Sequence, residues 1–103
     1  MEVTMKSVHE DARTVWVFVG NGATLPCGVF HTLEMANQAI EKHKLSGMLT
    51  AYPMDTVIYE WAIDNGFFHP KRDSQQTPTF IQRFTSAALE HYHYIDGKES
   101  GVS

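Results

Sequence analysis

The 103-residue chain has the composition of one small globular domain. Hydrophobic residues make up 43% and charged residues 19%, which excludes a disordered or fibrous protein. This length is enough to bury a single hydrophobic core. The formal net charge is −4 and the basic residues are scattered, so no basic stripe is present to neutralise a phosphate backbone, and nucleic-acid binding is not predicted.

The sequence favours a cytoplasmic protein without membrane association. No apolar run approaches the roughly 20 residues that span a bilayer, and the first residues lack the basic and apolar regions of a secretion signal. The single cysteine, Cys27, cannot form an internal disulfide, which agrees with a reducing compartment. The modest acidic surplus is mainly expected to keep the domain in solution.

The predicted elements begin after a flexible lead-in over residues 1–13. Residues 14–19 are continuously apolar and β-branched or aromatic, which predicts a central strand covered on both faces. After a loop, residues 28–31 form a second short strand. Thr32 is the expected cap of a helix that has Glu34 in its first turn and Lys42 and Lys44 in its last, and Gly47 is expected to close it.

Residues 48–52 are predicted to be a strand, but residues 55–65 have two interpretations. Apolar residues at every second position over 57–63 predict a strand, whereas Ile58, Trp61, Ala62 and Asn65 fit a helix that ends at Gly66. Because β-branched and aromatic residues dominate and residues 64–66 have good turn chemistry, the strand interpretation is favoured.

The remainder predicts a loop over 67–76, a helix that begins at Thr77-Pro78, a strand over 90–95 and a flexible tail over 98–103. The predicted fold is an α+β domain over residues 14–97, with an antiparallel sheet, two helices packed on one face, and the order β-β-α-β-β-α-β. The residues on the apolar phase of each element should be mostly buried; they are Val15, Trp16, Phe18, Phe30, Leu33, Ala36, Ile40, Leu49, Ile81 and Phe84.

The sharpest chemical feature is the pair His91 and His93, because residues two apart on a strand point to the same face. A metal site needs a third ligand, and the sequence spacing does not place any other histidine or carboxylate beside the pair. We therefore predict no metal or cofactor. The two imidazoles should instead hydrogen-bond to their neighbours beside an aromatic groove, with Tyr92 and Tyr94 on the other face.

No catalytic constellation is predicted. Cys27 lies between Pro26 and Gly28 without a cationic neighbour to lower its pKa, and the loop at residues 20–22 lacks the other residues of a phosphate-binding motif. The chain has more aromatic residues than one small core can hide, so some should line a groove or an interface. The candidate binding residues are Tyr52, Trp61, Phe68, His91, Tyr92, His93 and Tyr94.

Several short motifs, specific in combination, resemble an uncharacterised family of small bacterial domains of unknown function. They are WVF at 16–18, GVF at 28–30, HKLSG at 43–47, LT at 49–50 with YP at 52–53, Y-WAI at 59–63 with Gly66 and Phe68, FI at 80–81 with RF at 83–84, and EHYHY at 90–94 with DG at 96–97. The resemblance implies bacterial origin and a compact α+β domain over residues 14–97, and no assigned activity. Cys27 stands where a small residue such as serine is expected.

The leading functional hypothesis is a non-enzymatic binding module that recognises an unknown protein partner through an aromatic and acidic surface. An immunity or antitoxin-like role is one concrete form. An unpaired edge strand or aromatic patch also favours a homodimer. The alternative hypothesis is a small-ligand or metal-binding domain, or a weak hydrolase, centred on His91 and His93.

Overall fold

The computed structural model describes residues 13–100, so nearly all of the predicted lead-in lies outside the described residues. The strands are β1 (Thr14–Gly20), β2 (Gly28–Phe30), β3 (Gly47–Pro53), β4 (His91–Ile95) and β5 (Lys98–Glu99). The helices are α1 (Leu33–His43), α2 (Ile58–Asp64), a 3-10 helix (Asp73–Gln76) and α3 (Pro78–Gln82). Within the described part of the chain, no helix has the length and apolar character needed to cross a bilayer.

The five strands form one antiparallel sheet in the order β2-β1-β3-β4-β5. The centre of the sheet is the pairing of β1 with β3, which runs over all seven residues of both strands, from Thr14 opposite Pro53 to Gly20 opposite Gly47. The predicted α+β class with an antiparallel sheet is therefore confirmed.

The main core lies between one face of the sheet and α1. Trp16, Phe18 and Leu49 are buried on the strands, and Ala36 and Ile40 are buried on the helix that covers them. These two helical residues are four apart, so both lie on the inner side of α1. Of the ten residues predicted to be buried, these five are buried and the other five are partly buried. The predicted hydrophobic phases are correct.

Helix α1 begins as predicted and ends earlier than predicted. The hydroxyl oxygen of Thr32 accepts a hydrogen bond from the Met35 backbone N–H at 3.1 Å, which caps the first turn. The helix ends at His43, where Lys44 adopts the left-handed conformation with φ 54° and the Leu45 N–H returns to the Ile40 carbonyl. Gly47 therefore begins β3 and does not close the helix.

The strand predicted within residues 55–65 is wrong, because Ile58–Asp64 forms α2. The turn residues 64–66 that favoured the strand interpretation instead end this helix. Gly66 has φ 78°, its N–H bonds to the Ile63 carbonyl, and the Phe67 N–H bonds to the Ala62 carbonyl at 2.8 Å. This pair of hydrogen bonds is a Schellman motif, for which glycine in the left-handed conformation is the usual residue.

A separate aromatic cluster holds α2 and α3 together. The Tyr59 ring packs against Phe68, Phe80 and Phe84 with centroid distances of 5.6 to 6.2 Å, and Phe68 and Phe84 are 4.7 Å apart. The Tyr59 hydroxyl donates to the Gln75 carbonyl at 2.8 Å, which fixes the 3-10 helix beside the rings. Thus α2 and α3 are linked by aromatic contacts that are distant in sequence.

Two further boundaries differ from the sequence prediction. Helix α3 ends at Gln82, so Phe84, which was expected on the apolar phase of this helix, lies beyond its end. The expected flexible tail begins instead with β5, in which Lys98 and Glu99 pair with Ile95 and Tyr94 across the Asp96-Gly97 turn. The observed element order is therefore β-β-α-β-α-α-β-β, apart from the 3-10 helix.

Replacement of a core aromatic tests the sheet and helix core. Phe18→Ala should lower the free energy of unfolding by about 3 to 5 kcal/mol, because it removes a 1% exposed ring and leaves a cavity between β1 and α1. Val29→Ala is the control; its side chain is 65% exposed, so its cost should stay within about 0.5 kcal/mol. Urea unfolding measures both, and equal losses would contradict the assigned core.

The end of the central strand pair requires glycine on β3. A Cβ atom at Gly47 would lie 2.2 Å from the Val19 carbonyl oxygen and 2.8 Å from the Gly20 Cα, so Gly47→Ala should destabilise by about 1 to 3 kcal/mol. At its partner Gly20 the nearest atom would be 3.7 Å away, so Gly20→Ala should change stability by about 0.5 kcal/mol or less. Thermal unfolding that ranks these two variants in the opposite order would refute this contact.

Candidate functional site

The two faces of the sheet are covered differently. The alternation along β1 places Trp16 and Phe18 towards α1 and the three valines of the same strand on the opposite side. We call this opposite side the open face. By strand register it carries Val15, Val17, Val19, Val29, Met48, Thr50, Tyr52, His91, His93, Ile95 and Lys98.

The open face is partly exposed, although the sequence predicted a first strand covered on both sides. Val29 is 65% exposed, Met48 39% and Ile95 60%, while the three valines of β1 are partly buried. Apolar side chains are thus exposed on β2, β3 and β4 together. Contiguous exposed apolar residues on a small domain commonly mark an interaction site.

Strand register divides the open face into an apolar half and a polar half. One row of opposed residues crosses the sheet. Val29 on β2 lies opposite Val17 on β1, Val17 lies opposite Thr50 on β3, and Thr50 lies opposite His91 on β4. In the next row, Met48 lies between Val19 and His93. The valines therefore occupy the β2 and β1 side, and the imidazoles occupy the β4 side.

His91 and His93 lie side by side on the open face, as predicted, with ring centroids 5.8 Å apart. His91 Nδ1–H donates to the Leu89 carbonyl at 2.8 Å, so one imidazole is oriented by the segment just before its own strand. A cavity of about 360 Å³ lies over this half, and its lining includes both imidazoles, Thr50 and Tyr52 on the sheet and residues 85–87 from the segment before β4. Among the described residues, no group of three or more His, Cys, Asp or Glu side chains is placed to hold a metal ion.

The strand residues of the open face carry no carboxylate, so the acidic part of the expected recognition surface is not found on them. Glu99 pairs with Tyr94 and so belongs to the face that α1 covers, and Glu90 bonds to the hydroxyl of Tyr92 on that same face. The basic groups on the open face are Lys98, His91 and His93. The charged groups among the open-face residues of these strands are therefore cationic near neutral pH.

Tyr92 and Tyr94 are predicted site residues that the structure places away from the open face. Tyr94 is 5% exposed and its hydroxyl donates to Asn37 Oδ1 of α1, while Tyr92 stacks on Trp16 with centroids 6.1 Å apart. The hydrogen bond to Glu90, helped by burial, raises the pKa of Tyr92 to about 12. Burial, with a smaller contribution from the charge of Glu99, also raises the pKa of Tyr94. Both residues support the core.

The two other aromatic candidates lie in separate places. Phe68 belongs to the aromatic cluster, where it is partly buried. Trp61 lies 5.5 Å from Phe67 and borders a cavity of about 260 Å³ between α2 and the sheet, together with Thr14, Ala51 and Glu90. Of the seven predicted residues, only Tyr52, His91 and His93 meet at one surface. The sequence analysis missed the valines that complete this surface, because an apolar run does not reveal which of its two phases remains uncovered.

Comparison with known proteins gives one match. The family model described as Domain of unknown function (DUF7710) matches residues 15–100. The chain belongs to this family. No curated protein and no solved structure matches the chain. The resemblance to an uncharacterised family of small domains is thereby confirmed, and the matched region contains β1 through β5 apart from the first residue of β1.

The pKa of Tyr92 predicts how stability changes at alkaline pH. A phenol whose pKa is about 12 when folded keeps its proton above pH 10, where the unfolded chain releases it. The contribution of Tyr92 is therefore constant below about pH 10 and declines between about pH 10 and 12. In Tyr92→Phe, urea unfolding should show a smaller loss of stability from pH 9 to pH 11 than in the parent protein. Identical losses in the two proteins would contradict the hydrogen bond to Glu90.

Proposed function

We propose that this domain is a non-enzymatic binding module that recognises a protein partner through the open face. The observation that supports the proposal is the exposure of Val29, Met48 and Ile95 on β2, β3 and β4, all on one face of the sheet. Burial of apolar surface is the main source of free energy in most protein association. A rigid sheet also presents these side chains without a large ordering cost.

The charge of the open face defines the chemistry of the partner. Lys98 and the two imidazoles lie on the β4 and β5 side, and the apolar residues lie beside them. The complementary surface is an apolar strip flanked by carboxylates. If a second copy of this chain packed the same half of its open face here, the basic groups of the two copies would lie against one another and repel. A different protein with an acidic flank therefore fits better.

An immunity role is one form of this proposal. In that form the partner is a toxin, and occupation of the open face blocks its activity. The alternative centred on His91 and His93 has less support, because the described residues around the pair supply too few ligands for a metal.

Two exposed methionines on opposite sides of the molecule provide a matched test. A photocrosslinking amino acid at Met48, on the open face, should link the domain in its native cells to one protein other than itself. The same group at Met35, which is 55% exposed on α1, should not link to that protein. The linked protein should contact the open face through a segment that combines apolar and acidic residues. Equal crosslinking from both positions, or crosslinking only to a second copy, would overturn the proposal.

Binding measurements on the purified domain and the crosslinked partner then test which residues contribute to affinity. Met48→Lys should raise Kd by about tenfold or more because it places a charge in the apolar centre of the interface, whereas Met35→Lys should change Kd by less than about twofold. Lys98→Gln should weaken binding and reduce its dependence on salt, since it removes one interfacial charge. Binding that is insensitive to Met48→Lys would show that the partner uses another surface.

A further inference from the structure

The segment that connects α2 to β4 forms a concave surface with a concentrated positive charge. A cavity of about 610 Å³ lies between the 3-10 helix and α3, and Arg72 and Arg83 both border it. Residues 71–85 contain three cationic side chains and one carboxylate, although the whole chain has a net charge of −4. No carboxylate is among the residues that line this cavity.

The two arginines are available to a ligand. Both are exposed, and neither forms an ion pair or hydrogen bond through its side chain with any residue of the described part. A guanidinium group presents five N–H donors in a planar fork that fits the oxygens of a phosphate. Two such groups at the edge of one cavity whose lining contains no carboxylate favour an anion over a neutral ligand.

Hydroxyl groups add further donors around the same cavity. Ser74, Thr79 and Thr85 line it, and within residues 13–100 their hydroxyls have no hydrogen-bond partner. Thr77 also lines it but is already engaged, since it accepts from the Phe80 N–H and donates to the Ser74 carbonyl. Hydroxyl groups beside arginines commonly complete the coordination of phosphate oxygens.

Two aromatic rings border the cavity and are held in place by their neighbours. Phe80 and Phe84 border it, and both rings are fixed from behind by Tyr59 and Phe68 of the aromatic cluster. An aromatic surface beside anion-binding groups suits a ligand that joins a phosphate to a planar or apolar organic group. The volume is larger than an isolated phosphate requires.

We propose that this cavity binds a phosphorylated small molecule, with Arg72 and Arg83 on the phosphate oxygens and the phenyl rings against its organic part. This site is on a different part of the chain from the open face. It does not depend on the proposed protein-binding function, so either proposal can fail without the other.

Calorimetric titration of the full chain with three probes tests the site. AMP carries a phosphate and a planar base, inorganic phosphate carries only the first, and adenosine carries only the second. AMP should bind with a Kd of about 1 mM or tighter, inorganic phosphate should bind more weakly, and adenosine should not bind in this range. Absence of AMP binding, or equal binding of AMP and adenosine, would overturn the proposal.

Single substitutions separate a built site from general charge attraction. Arg83→Gln and Arg72→Gln should each raise the Kd for AMP by about tenfold, the loss expected for a charge-assisted hydrogen bond. Arg83→Lys should fall between the parent and Arg83→Gln, because it keeps the charge but loses the planar fork. Lys42→Gln is a control at an exposed position of α1, away from the cavity, and it should change Kd by less than about twofold. An equal effect of Lys42→Gln would show non-specific attraction and refute the site.

Discussion

The pairing of β1 with β3 is the constraint on which the rest of the structure depends. Seven consecutive residue pairs join the two strands, so the side-chain alternation of β1 is imposed on its neighbour. Trp16, Phe18 and Leu49 are thereby directed to one face, where α1 covers them. A slip of one residue in this register would exchange the aromatic and valine phases, and α1 would then cover the smaller side chains.

The sequence predicted the start of α1 and the buried phases correctly because their signals are local. Thr32, Glu34 and Lys42 stand where capping and the helix dipole favour them, and the apolar residues follow a single period. Helix α2 was missed because its decisive contacts are distant. Tyr59 is buried by rings that follow it by 9 to 25 residues, and its hydroxyl donates to the Gln75 carbonyl. These distant contacts favour the helix over the strand that the local alternating pattern predicts.

The candidate site was predictable only in part. The two-residue period placed His91 and His93 on one face and the adjacent tyrosines on the other, as the structure shows. Which face remains uncovered depends on the position of α1, and strand periodicity carries no information on that. The same limit applies to Arg72 and Arg83, because 11 positions separate them and only the folding of the 3-10 helix against α3 brings both to one cavity.

The central claim is that one sheet face is covered by α1 and the other is accessible. Methyl NMR with a soluble paramagnetic gadolinium chelate measures this most directly, at a concentration where the protein is monomeric. The methyl groups of Val29, Met48 and Ile95 should relax strongly, while those of Ile40 and Leu49 should be protected. Protection of the first three to the same degree as Leu49 would contradict the open face and the function proposed for it.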